Sequence, residues 1–181
     1  RISYIGVATL TEAIQLREHQ ITTPILILSE PNISDLAQIA AHDISITVYQ
    51  KDTIEKVATF ATQNNHPIKT HFKVDTGMSR LGSSWADAKE LIQEWLASPE
   101  TIIKEGLYSH FANSNIKDHT LNKQQLDRFN SLPNKNLIKH IANSNAISNI
   151  SHCHHNLIRI GYNAYKDSFK VTAPVRSIQN V

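Results

Sequence analysis

Seven short apolar segments alternate with helical ones along this chain, and that rhythm limits its folds more than any other feature. The segments are Ile2 to Ala8, Pro24 to Leu28, Ile44 to Tyr49, the stretch opening at Lys69, Ile102 to His110, Leu137 to Ile141, and Leu157 to Gly161. Pro24 to Leu28 is continuously apolar, as a strand buried on both faces should be. Helix signals fill the gaps. Thr9 and Glu12 form a capping box whose helix is expected to run to about His19. Asn32 is expected to cap a helix with Leu36, Ile39 and Ala40 on one face. Asp52 and Glu55 open another, with Ile54, Val57, Ala58 and Ala61 buried. Ser84, with Asp87 three residues on, caps a helix carrying Ala88, Leu91, Ile92 and Trp95. Asp118 to Phe129 reads as helical through Leu121, Gln125 and Phe129, and Asn143-Ser144 begins a short helix. Strands alternating with helices indicate a parallel α/β sheet. Seven units are many for a small open sheet and one short of a (β/α)8 barrel, with a doubly wound sheet as the other solution.

Composition sets outer bounds. The 181 residues are 40% hydrophobic with formal net charge +2, enough for one domain with a real core. So small a charge predicts no nucleic-acid partner, despite a pI near 8.7. No apolar run has the length of a membrane span, and no signal-peptide pattern opens the chain. The single cysteine, Cys153, leaves no internal disulfide and suits a reducing cytoplasm. Arg1 leads straight into apolar alternation and Val181 lies inside another apolar pattern, so a piece of a longer protein is expected.

Polar groups that could carry chemistry sit where strands end. Lys73, Asp75, Thr76 and Arg80 crowd one strand end between phenylalanine, valine and the turn glycines Gly77 and Gly82. His71, Lys73 and Asp75 alternate with Phe72 and Val74, which suits a half-buried pleat. His110, Asn143-Ser144 and Arg159 end other units, and in a barrel such ends gather at one mouth. Barrels often hold a phosphate between the last two loops, here Asn143-Ser144 and Gly161-Tyr162. His152-Cys153-His154-His155 lacks a second ligand pair at zinc-like spacing, so a loop and no metal are expected.

Lys73 to Gly82 closely resembles the KVDTGMGRLG segment of bacterial alanine racemases, which use pyridoxal phosphate (PLP). Ser79 stands where that family usually has Gly. The resemblance covers nearly the whole chain, most strongly at Ile5 to Leu16, Lys69 to Gly82, Gly106 to Asn113, and His140 to Tyr165. It implies an incomplete PLP-binding (β/α)8 TIM-type barrel over residues 1–170, running from strand two through strand eight. Residues 171–181 would begin the connection to a missing C-terminal β domain.

The resemblance also implies roles. Ser144, Gly161 and Tyr162, with Asn143 beside them, would hold the PLP phosphate. Arg159 would face the pyridine nitrogen, and His110 would hydrogen-bond and position Arg159. An arginine keeps its proton, so the ring would stay largely unprotonated, which favours reprotonation at Cα. Arg80 would meet the cofactor's phenolic oxygen and the substrate carboxylate. Lys73 would carry a carbamate that holds Arg80. The chain departs from the family at Ile160, where Pro is preferred, at Tyr162, often Ile, and at Lys166, commonly Gly.

The Schiff-base lysine on strand one and the partner subunit's tyrosine have no counterpart here, so these 181 residues alone should be inactive. The implied protein is an isomerase interconverting L-alanine and D-alanine for peptidoglycan, homodimeric and cytoplasmic. The rivals are another PLP-barrel racemase or decarboxylase, against which Lys73 argues, and a non-enzymatic PLP carrier, against which the full Lys73-to-Arg80 pattern argues.

Overall fold

A computed structural model describes residues 2–117, 119–133 and 136–161. Six parallel strands form one sheet in sequence order: β1 (Ile5–Val7), β2 (Ile25–Ile27), β3 (Ser45–Val48), β4 (Ile68–Lys73), β5 (Ile102–Tyr108) and β6 (Ile138–His140). Every neighbouring pair is parallel. A doubly wound sheet reverses its strand order at a switch point, and this one does not. The sheet is also curled. Strands three places apart in a flat sheet lie roughly 14 Å from each other. Yet the hydroxyl of Tyr108 on β5 donates to the carbonyl of Leu28, just past β2, at 3.1 Å. Tyr4, just before β1, meets His71 of β4 with ring centroids 5.4 Å apart. The fold is an incomplete TIM-type barrel.

Helices pack on the convex face: α1 (Leu10–Glu18), α2 (Leu36–Ala41), α3 (Lys51–Gln63), α4 (Ala88–Ala97), α5 (Thr120–Asn130) and the short α6 (Ala146–Asn149). The capping box at α1 is complete, with Thr9 and Glu12 each accepting from the other's backbone amide region. Ile25, Ile27, Ile46, Val48, Phe72 and Leu107 point outward into the core beneath these helices. Trp95 of α4 is fully buried there, tilted against Phe72 at 5.5 Å and donating to Thr70 Oγ1 at 2.9 Å.

Several local expectations shift. Leu157 to Gly161 is not a strand. It follows the edge of β6 through Asn156 N–H to the Lys139 carbonyl and Arg159 N–H to the Ala142 carbonyl, without sheet register. Asn32 heads a 3-10 turn, Ile33–Asp35, and its side chain does not cap it. Ser84 and Asp87 do bond each other, but in the turn before α4 rather than inside a helix. Lys51, not Asp52, begins α3. On α5 the buried residues are Asn122, Gln125 and Phe129, with Leu121 only half-buried. Asn143 accepts from the Ala146 N–H at 3.1 Å, so it caps α6 from three residues upstream. The alternating face of β4 is not half-exposed either. His71 and Lys73 are 0% and 5% accessible, because their side is the barrel interior. Tyr162, Lys166 and the segment from 171 onward lie outside the described residues, as does Asp118.

Candidate active site

The loop after β4 is built to hold a tight shape. Val74 forms a parallel bridge to Ser83, which closes the segment between them into a loop. The Asp75 carboxylate accepts from the Gly77 and Met78 amides, both at 2.8 Å, so it is spent on the turn and not on Lys73. Gly82 has φ +124°, and a Cβ there would lie 2.7 Å from the Asp75 nitrogen. Ser79 sits at φ +58°, a left-handed angle that glycine takes without strain. Helix α5 braces this loop: Gln125 donates to the His110 carbonyl at 2.9 Å and to Thr76 Oγ1 at 3.3 Å, and Arg128 donates to the Thr76 carbonyl at 2.9 Å. Arg80 thereby stands exposed at the rim of the mouth.

A cavity of about 570 Å³ opens inside the curled sheet, and Lys73, Arg80, His110, Asn143, Ser144, Arg159 and Gly161 all line it. The fold thus brings together every expected site residue that is described. Arg159 is the most heavily bonded. Its guanidinium donates to the carbonyls of Ser109 at 2.6 Å, His140 at 3.2 Å and Ile141 at 3.3 Å. It also meets His140 Nδ1 at 2.6 Å and His110 Nδ1 at 3.1 Å. A guanidinium only donates, so both ring nitrogens must accept. Burial pulls Arg159 down to about 10, which leaves it charged at neutral pH. Burial, then Arg159, Arg80 and Lys73, push His110 down to about 4 and so keep it neutral.

Lys73 is lowered to about 8, first by burial and then by Arg80 and Arg159. Its ammonium lies 5.3 Å from the Tyr108 ring centroid, as does the Arg159 guanidinium. Lys73, Arg80 and Arg159 make the mouth strongly cationic, with Asp75 already engaged.

Tyr108 and His140 belong to the site although the sequence did not single them out. Their rings stack at 4.7 Å and 4° between planes. Tyr108 also touches Thr47 Oγ1 at 2.8 Å. The signal available was polar side chains at alternate positions of strands otherwise apolar on both sides. Gly161 N–H donates to Ser144 Oγ at 3.0 Å, and a Cβ on Gly161 would meet no atom within 4 Å. An amide, a hydroxyl and open space therefore coincide at the mouth, as a bound phosphate requires. Cys153, by contrast, is buried with its thiol donating to the Ile150 and Ala146 carbonyls. Among the described residues no cluster of three or more His, Cys, Asp or Glu could hold a metal.

The curled, singly wound parallel sheet and its cationic mouth at the strand ends define a TIM-type barrel domain, less than a full barrel in extent. Its sequence matches the family "Alanine racemase, N-terminal domain" over residues 1–168, and the chain belongs to that family. It is 38% identical over 169 residues to alanine racemase 1 of Caldanaerobacter subterraneus subsp. tengcongensis, covering 88% of this chain and 43% of that protein. It is 34% identical to the alanine racemase of Geobacillus kaustophilus, over 90% of this chain and 43% of the other. Among solved structures it superposes on alanine racemase from Clostridium difficile with TM-score 0.83 and 27% identity, covering 91% of this chain and 45% of that one. It also matches a histidine racemase from Leuconostoc mesenteroides, with TM-score 0.75, 26% identity and coverages of 87% and 44%. The chain spans less than half the length of these relatives. Alanine racemases are PLP-dependent.

Proposed function

We propose that this chain is the barrel part of a PLP-dependent alanine racemase, an isomerase that interconverts L-alanine and D-alanine for peptidoglycan. Residues 1–170 form the partial barrel and 171–181 lead toward a C-terminal β domain. The enzyme works as a cytoplasmic homodimer. No helix among the described residues is long and apolar enough to cross a membrane. The observation that carries the reading is the convergence of Lys73, Arg80, His110, Ser144, Arg159 and Gly161 on one cavity.

PLP, when bound, supplies the electron sink that acidifies the amino acid's Cα–H. Ser144, Gly161 and Tyr162, next to Asn143, would hold its phosphate. Arg159 would face the ring nitrogen, and a permanent cation surrenders no proton to it, which would favour return of the proton to Cα. His110, kept neutral, accepts from Arg159 and fixes its direction. Arg80 at the rim takes the substrate carboxylate. Lys73, with its proton loosened by burial and two arginines, offers the neutral amine that carbamate formation with CO2 needs. The carbamate turns a repulsive neighbour of Arg80 into an attractive one.

The test is conversion of L-alanine to D-alanine by the full-length protein with PLP, beside Arg80→Ala. Collapse in the variant supports the assignment. Activity untouched by the change keeps the family and removes Arg80 from the site. The likeness to a histidine racemase makes substrate breadth the second reading: turnover of histidine, serine, lysine or arginine in preference to alanine favours it. PLP bound without turnover of any amino acid favours a carrier.

A further inference from the structure

Behind Arg159 the barrel interior holds a line of polar side chains that the proposed reaction does not use. Arg159 Nη1 lies 2.6 Å from His140 Nδ1. His140 Nε2 lies 3.0 Å from His71 Nδ1. His71 Nε2 is buried without a hydrogen-bond partner and faces Glu105 Oε2 at 3.6 Å. Glu105 Oε2 in turn accepts from Ser45 Oγ at 2.6 Å.

The ends dictate the middle. Arginine can only donate, so His140 Nδ1 accepts and its proton sits on Nε2. That N–H donates to His71 Nδ1, so the His71 proton also sits on Nε2, aimed at the carboxylate. A carboxylate can only accept, so the far end imposes the same direction. A buried N–H left without an acceptor is destabilising, which gives the carboxylate a specific task. Glu105 remains ionised for it: burial opposes the charge, but His71, Ser45 and Lys69 outweigh burial and lower its pKa.

Two backbone features make room for this line. Thr70 pairs with Lys104 and His71 with Gly106, so Glu105 is an extra residue in β5. The bulge turns Glu105 and Gly106 toward the same side, the interior. A Cβ on Gly106 would lie 2.2 Å from His71 Nδ1, on top of the atom that accepts the hydrogen bond from His140.

We infer that Glu105 is a positioning residue that ends a one-way chain of donation from Arg159 through His140 and His71, and so fixes the tautomers that hold Arg159 at the mouth. The role toward the cofactor rests on the proposed function; the tautomers do not.

The experiment compares Glu105→Gln, which keeps an acceptor, and Glu105→Leu, which does not, in the full-length protein. Histidine 15N shifts of the unsubstituted protein at neutral pH read the tautomers without any substrate. Both rings neutral with the proton on Nε2 is the expected result. A proton on Nδ1 of either ring, or an imidazolium, overturns the inference. In the Leu variant one ring should leave that state and the visible band of bound PLP should move. There kcat should fall about tenfold or more with KM for alanine changed less than about threefold, and the Gln variant should stay within about threefold of the parent. Equal losses in Leu and Gln, or a Leu variant with rings, band and kcat unchanged, overturn it. Should the protein turn over no alanine, the proposed function fails while the 15N result still decides the chain of donation.

Discussion

The two faces of the same six strands are built by opposite rules. Outward residues of β2 to β5, among them Ile27, Val48, Phe72 and Leu107, meet helices and are mostly apolar, with Thr70 and Lys104 as the polar exceptions. Inward residues one position away, Thr47, His71, Lys73 and Tyr108, are just as buried and nearly all polar. Burial therefore does not separate core from site in this fold. Partner type does: the outward face is satisfied by packing, the inward one by hydrogen bonds that tolerate no missing member.

The sharpest way to break that contrast is Trp95→Ala on the outer face. It should cost about 3–5 kcal/mol of stability, read from the denaturant midpoint, because it opens a large cavity. A loss below about 1 kcal/mol would mean the helices contribute little. The inner face should answer to acid instead. His110, at about 4 in the fold, is neutral where the unfolded chain, at about 6.5, takes up a proton. Stability should thus fall as pH drops from about 6.5 to about 4 and level off below, by up to about 3 kcal/mol from this group. The difference between the parent and His110→Gln, measured across that window, isolates it. A flat difference would show that His110 is not held neutral. Tyr108→Phe removes a hydroxyl bonded to Thr47 and Leu28 and should cost about 1 kcal/mol, far below Trp95→Ala. Ser79→Gly should do the reverse and stabilise by about 0.5–1 kcal/mol, by removing a side chain from a left-handed angle. A thermal shift downward for that variant would show that the Ser79 side chain contributes something the backbone argument leaves out.

The strand and helix order was legible from periodicity, and the complete capping box at Thr9 and Glu12 could be read letter by letter. The incomplete barrel was not legible from periodicity, because strand order is a property of tertiary pairing; resemblance to a known family supplied it. Site residues at strand ends were legible as a group, since topology gathers them. His140, Tyr108 and Glu105 were missed for a shared reason. Each reads as one more residue of a strand, where a lone polar side chain looks solvent-facing until the curl of the sheet encloses it. The strand expected at Leu157 to Gly161 failed because its apolar pattern serves packing along β6 while Arg159 is drawn inward by five acceptors.

The extra residue in β5 behaves like a letter inserted without shifting the reading frame. Lys104 points outward to the Ser98 carbonyl, Gly106 inward to His71, and Leu107 outward to the core. Skip Glu105, and the alternation runs unbroken through Tyr108. Deleting Glu105 alone would therefore leave every other side chain of the strand on its own side of the sheet.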